Sequence, residues 1–425
     1  MLHLTIGVVF FILLFILISI EIINKTILAL LGAVLFITMG IIEQSVAFAE
    51  IDWNVIFLLI GMMVIVGITK RSGLFQYLAI KSAKMANGDP VKILVIFSIL
   101  TAVMSAFLDN VTTVLILTPV MILIAVELGI SPLPFVISSA IASNIGGTAT
   151  LIGDPPNIMI GSASGLGFIE FIINLGPIVI FLMVIHSFVI LIFFKKKLVV
   201  SMERRARIME FDENESLTDK TLLIKSLSVL ALVIIGFLIH DAVDLEAATI
   251  ALGGAALLML LVGGEEVDDF FHEVEWGTIF FFIGLFIMVG GLVELGVINF
   301  LATEYLKMTK GSLLITSESI IWVSGVLSAF LDNIPYVATM IPLVQDLGQN
   351  MQGVSIEPVW WSLAIGSCLG GNGTLIGASA NVVSAGISGK NGFKISFLEF
   401  TKYSSIITVI TLFFSSIYIY LRYLR

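Results

Sequence analysis

Residues 105–110 of this 425-residue chain read Ser-Ala-Phe-Leu-Asp-Asn, and residues 328–333 read the same six in the same order. Each copy sets a carboxylate and an amide, Asp109-Asn110 and Asp332-Asn333, in the middle of a long run that is otherwise apolar and uncharged. A carboxylate in such surroundings is costly, and the usual reason to keep one is chemistry, either pairing with a cation or exchanging a proton. Residues 146–157 then read Gly-Gly-Thr-Ala-Thr-Leu-Ile-Gly-Asp-Pro-Pro-Asn, and residues 370–381 read Gly-Gly-Asn-Gly-Thr-Leu-Ile-Gly-Ala-Ser-Ala-Asn. The first supplies Gly147, Thr148, Asp154 and Asn157; the second supplies Gly371, Asn372, Thr374 and Asn381. With Thr112 and Thr113 beside the first motif, they form a set of hard carboxylate, amide, hydroxyl and backbone oxygens suited to a sodium ion. The sodium seat is expected at Asp109, Asn110, Asp332 and Asn333. No Lys or Arg lies close in sequence to these residues, so the expected site carries up to three negative charges, offset by helix N-terminal partial charges. Ala378 matches Asp154 in the second copy, so the third carboxylate belongs to one half only.

Composition says where such residues must sit. Hydrophobic residues are 58% of the chain and charged residues 12%, with mean hydropathy +1.12, which excludes a soluble globular domain and defines an all-α polytopic membrane protein. Apolar spans are expected over about 3–20, 26–42, 54–69 and 171–194, and again over 224–240, 247–262, 277–293 and 398–421. Met1 begins a segment long enough to stay as the first span rather than be cleaved. Cys368 is the one cysteine, so no disulfide or thiol metal cluster forms within a chain. Much of the net charge of −10 sits in loops over 203–219 and 265–275, read as solvated membrane-surface segments. The partners expected are the bilayer and a small ion or solute, not nucleic acid, and no cofactor beyond a sodium ion is implied.

A single offset of 223 aligns Thr26 with Thr249, Asp52-Trp53 with Glu275-Trp276, the hexapeptide with itself and Pro119 with Pro342; after one insertion an offset of 224 pairs the glycine-rich stretches. Such internal repeats belong to secondary transporters. The expected organisation is a first repeat over 1–194, a cytoplasmic linker over 195–221 and a second repeat over 222–425. Each repeat holds five transmembrane spans, one of them broken at the midplane, plus a re-entrant helical hairpin. The hairpins are expected at about 91–127 and 312–348, and the broken helices at about 132–166 and 358–389, because neither flank of a glycine-rich stretch is long enough to cross alone. Two full crossings joined by a solvated turn are the alternative to each hairpin. Residues 74–85 are amphipathic and expected along the inner surface.

With the third span ending inside at Lys70-Arg71, all but four of the 21 Lys and Arg residues fall in the cytoplasm; Lys307, Lys310, Arg422 and Arg425 fall outside, as do both termini. An odd number of spans per half inverts the second repeat relative to the first. Several residues have plainer readings: His186 as a packing residue within a span, Glu170 and Glu399 as interfacial caps, Trp53 and Trp276 as interface anchors, Glu127 and Glu294 as span ends, Cys368 as small packing. Asp109, Asp154 and Asp332 could themselves be helix N-caps.

On the paired motifs at 105–113 and 146–157, the sequence resembles the ion transporter superfamily, in the branch holding arsenite permeases, D-type sodium/proton antiporters and the melanocyte P protein. More distantly it is similar to divalent anion:sodium symporters, whose Ser-Asn-Thr tips are replaced here by Asp109-Asn110-Val111-Thr112 and Asp332-Asn333-Ile334-Pro335. The resemblance covers nearly the whole chain and implies a homodimer with a fixed scaffold and a mobile unit moving like an elevator. The function expected is a secondary active transporter of the cell (inner) membrane, coupled to sodium or protons. Arsenite or antimonite efflux and sodium-coupled carboxylate symport are the alternatives, with a passive cation channel as a different class. No nucleophile or metal constellation points to an enzyme.

Overall fold

The computed structural model describes residues 2–20, 23–263, 267–351 and 353–425, so the acidic stretch expected over 265–275 lies partly outside it. Among the described residues every regular element is a helix, with no strand. The first half contains α1 (Leu2–Ile20), α2 (Lys25–Thr38), the short α3 (Gln44–Ala49), α4 (Trp53–Lys70) and the amphipathic α5 (Leu74–Met85). There follow the pair α6 (Pro90–Phe107) and α7 (Asn110–Glu127), the pair α8 (Leu133–Gly147) and α9 (Pro155–Ser164), and the long α10 (Phe168–Phe194). The linker carries α11 (Met202–Glu210). The second half runs α12 (Lys220–Ile239), α13 (Ala247–Val262), α14 (Val267–Phe271), α15 (Trp276–Glu294), α16 (Val297–Thr309), α17 (Leu313–Phe330), α18 (Asn333–Asn350), α19 (Glu357–Gly370), α20 (Ser379–Lys390) and α21 (Phe397–Ile419). Offsetting α6 and α7 by 223 lands on the bounds of α17 and α18.

Local chemistry explains the boundaries. Asp52 and Asp89 start α4 and α6 by accepting hydrogen bonds from the backbone of Val55 and of Val91 and Lys92, and Pro90 fits the first turn it opens. Leu108 and Leu331 stop α6 and α17 in extended conformation, and the aspartates after them restart the chain as α7 and α18. Among the described residues, eight helices are long and apolar enough to cross a membrane. On α10, Ile180, Val184, Phe188 and Ile192 recur every fourth residue and are 63–70% exposed, an apolar stripe suited to lipid. By contrast α8 and α9, about 22 Å and 15 Å long at 1.5 Å per residue, each fall short of a bilayer core of roughly 30 Å.

The helices pack in two groups. A frame forms from α1, α2, α4, α12, α13 and α15, through the pairs α2 with α15 and α4 with α13. A hairpin unit forms from α6–α10 and α17–α21, each hairpin lying on the broken pair of its own half, α6 on α8 and α17 on α19. Gly146 permits the first approach, since a Cβ there would stand 2.2 Å from the backbone oxygen of Ala102; Gly370 does the same against Gly325 at 2.6 Å. The surface helix α5 joins the two groups and receives the linker, where Arg205 pairs with Asp89 at 2.9 Å and Lys84 pairs with Glu213.

Candidate functional site

The hairpin tips and the helix breaks meet. Ser105, first residue of the hexapeptide, donates to the backbone oxygen of Ser143 at 2.7 Å, and Ser328, its twin, donates to that of Ser367 at 2.7 Å. Thr150 and Thr374, from the two glycine-rich stretches, donate to the backbone oxygens of Ala106 and Ala329. Each tip is thereby tied to the break of its own half. Within each break an asparagine gathers the loose carbonyls: Asn157 donates to the oxygens of Gly147, Thr148 and Thr150, and Asn381 to those of Gly371 and Thr374 at 2.9 and 3.0 Å. An unwound segment inside a membrane must satisfy its backbone in this way.

Between the halves lies a residue that motif reading passed over. Asn144 accepts from Asn110 at 2.9 Å and donates to the side-chain oxygens of Asn372 and Asn381 at 2.8 and 3.1 Å. It is fully buried and links hairpin, break and opposite half in one amide network. The offset of 224 could have flagged it, since it pairs Asn144 with Cys368. Cys368 plays the matching part in weaker form, its Sγ lying 3.5 Å from Asn157 Oδ1; the packing residue expected there also makes a polar contact across the halves.

The three aspartates differ. Asp109 caps α7 through Thr112 N at 2.8 Å. Asp332 caps α18 through Ile334 N at 3.1 Å, and its other oxygen accepts from Lys25 Nζ at 2.7 Å and Ser379 Oγ at 3.0 Å. Asp154 holds the N-cap position of α9 and makes no capping bond; both its oxygens accept from Asn333 Nδ2 at 3.3 Å, across the two halves. The expectation of a site without Lys or Arg is therefore corrected. Lys25, 307 positions from Asp332, is brought to it by the packing of α2 against α15 and of the frame against the hairpin unit.

A cavity of about 250 Å³ opens between frame and hairpin unit, lined by Lys25, Met63 and Glu275 on one side and Asp109, Ile334 and Ser379 on the other. The four residues expected to share sodium are divided by their hydrogen bonds: Asn110 turns to Asn144, Asn333 to Asp154, Asp332 to Lys25, and Asp109 to its own helix and the cavity. Thr113 Oγ1 is buried without a partner, and Thr148 bonds back to Asn144 O at 2.8 Å. Among the described residues no three His, Cys, Asp or Glu side chains gather as a metal group, so a metal held here would need amide, hydroxyl or backbone oxygens.

Two helical hairpins braced on two broken helices, inside a frame of apolar spans, define a membrane transporter. A family model described as citrate transporter matches residues 15–366. The chain belongs to that family, and with it to the ion transporter superfamily that its motifs resemble. It is 42% identical over 423 residues to an uncharacterised transporter of Mycobacterium tuberculosis, covering 98% of both chains, and 43% identical over 424 residues to a 46 kDa membrane protein of Mycobacterium leprae, covering 99% of both. The human P protein is 31% identical over 466 residues, which span 90% of this chain and 56% of that protein. Among solved structures, the Neisseria gonorrhoeae antimetabolite efflux pump MtrF aligns with a TM-score of 0.61 at 15% identity, covering 99% of this chain and 94% of that one, a likeness of fold.

Proposed function

We propose that the protein is a secondary active transporter that couples movement of its solute to sodium or protons at an acidic site near the middle of the membrane. The observation that carries the reading is the placement of the two hairpin-tip aspartates. Each heads a helix beside an unwound segment, and Asp109 lines the cavity between frame and hairpin unit. Carboxylates held there titrate or bind a cation as their surroundings change. In this reading the halves are inverted repeats, α6 and α7 re-enter from the cytoplasm, α17 and α18 re-enter from outside, and both termini are external. The hairpin unit shifts against the frame of a homodimer in an elevator-type movement. One-sided packing supports that motion: α9 and α18 lean on α4 and α15, whereas their counterparts α20 and α7 have at most marginal contact with α15 and α4 among the described residues. Closer helix packing on the external side, with the Lys25–Asp332 pair as the tie on the other, describes a carrier whose looser side faces the cytoplasm.

Proteoliposomes with an internal pH dye test the reading. Sodium-dependent proton movement is expected, lost in Asp109→Asn and in Asp332→Asn; no sodium or proton dependence of any flux overturns it. A second reading, sodium-coupled carboxylate symport, gains from the cationic Lys25 beside the cavity and from the description of the family. Labelled citrate uptake that requires a sodium gradient would favour it over exchange of sodium for protons.

A further inference from the structure

Lys25 opens α2, where its positive charge gains nothing from its own helix. The helix is already capped by Asn24, which accepts from Thr26 N at 2.9 Å, and a positive charge sits unfavourably at a helix N-terminus. Its ammonium instead leaves its own helix and docks on the hairpin unit, 2.7 Å from Asp332 Oδ2 and 2.9 Å from Ser379 Oγ, over the Phe281 ring at 5.1 Å. Ser379 also donates to Oδ2 at 3.0 Å, so the three polar atoms close a triangle. The seat of the ammonium, a carboxylate oxygen and a hydroxyl oxygen at under 3 Å, is what a small cation would use. The pair is largely withdrawn from water, Asp332 being 7% and Lys25 21% exposed at the side chain.

The repeat isolates the feature. Under the offsets, Lys25 matches Ala248, Ser379 matches Pro155 and Phe281 matches Leu58, so nothing equivalent can be built at Asp109. Asp109 lines the adjoining cavity with Glu275 and Lys25, and among the described residues it makes no ion pair. One tip aspartate is held by the frame's own ammonium, and its twin is open to the cavity.

We propose that Lys25 is a tethered competitor for the cation seat at Asp332: an incoming monovalent cation and the ammonium occupy that carboxylate in turn, so binding the ion unhooks the hairpin unit from the frame. The proposal rests on the cation-coupled reading above and adds a residue to it. Mutual exclusion makes the coupling reciprocal, since whatever weakens the tether strengthens ion binding by the same factor.

The test measures the sodium concentration giving half-maximal thermal stabilisation of the purified protein, and the same value for flux in proteoliposomes, in wild type, Lys25→Gln and Lys25→Arg. Lys25→Gln is expected to lower both by about tenfold or more, while Lys25→Arg, which keeps the charge, stays near wild type. Because Lys25→Gln leaves Asp332 without its partner, the double variant Lys25→Gln/Asp332→Asn serves as the fold control; it is expected to regain thermal stability without regaining the sodium response. Coupled flux in wild type with unchanged or raised half-maximal sodium in Lys25→Gln overturns the competitor and leaves the transporter reading standing. If no protein shows cation-dependent flux, that reading falls. Sodium stabilisation that appears only on removing Lys25 would then still support competition, and its absence would overturn that too.

Discussion

Asn144 joins three other asparagines, and none of the four can be replaced without orphaning a buried partner. Asn144→Leu strips Asn110 of its acceptor and Asn372 and Asn381 of their donor. An unsatisfied buried polar group costs about 1–3 kcal/mol, so this substitution is expected to destabilise by at least that amount, read as a lowered midpoint of thermal unfolding in detergent. Asp154 is a different case, because its carboxylate faces Asn333 of the other half instead of its own helix. The helix-cap reading of Asp109 and Asp332 holds in the structure, and for Asp332 it is only half the account, since the second oxygen serves Lys25.

At the scale of elements, hairpin and broken helix form one unit in each half, closed by backbone approach at Gly146 and Gly370. Gly146→Ala places a methyl against the backbone of Ala102, where no flexible side chain can yield. Overpacking of this kind costs about 1–3 kcal/mol; Gly370→Ala, against the Gly325 backbone, should show a similar fall in unfolding midpoint. Gly253→Ala in α13, whose added methyl would meet nothing within 4 Å, should leave the midpoint near wild type or raise it slightly. Most element bounds were legible in sequence, although the second span, expected over 26–42, is helical only to Thr38. The span expected at 171–194 begins three residues earlier, at Phe168, because the turn of Gly165 and Gly167 ends just before it. The helix expected over 74–85 forms with those bounds, Leu74–Met85.

At the scale of the whole molecule, the linker between halves is strapped to the surface helix of the first. Arg205 reaches Asp89, Thr218 N bonds Ser72 O at 3.1 Å, and Lys84 holds the Glu213 carboxyl below the usual glutamate range through a direct hydrogen bond. A carboxylate with a depressed folded pKa contributes stability that is present above the unfolded value of about 4.3 and is lost as the pH falls through the folded one. The strap should therefore be insensitive to pH near neutrality and release only in acid. Glu213→Gln mimics that release at pH 7 and should speed proteolytic cleavage within 195–221 by roughly two- to fivefold, the range of an exposed pair; an unchanged cleavage rate would show the strap is held elsewhere.

The chain's pattern alone determined the membrane class, the two matching halves, the breaks at the glycine-rich stretches and the positions of the three aspartates. These are properties of a segment: an apolar run, a helix stop, a residue that cannot be afforded by chance in lipid. What each aspartate touches was decided only by the tertiary structure. Lys25 meets Asp332 over a separation of 307 residues, Asn144 meets Asn372 over 228 and Asn333 meets Asp154 over 179. Such contacts depend on how helices cross and at what height their ends align, which hydropathy and local propensity do not encode. An expected site of uncompensated negative charge thereby became one whose second tip is already paired with the protein's own cation.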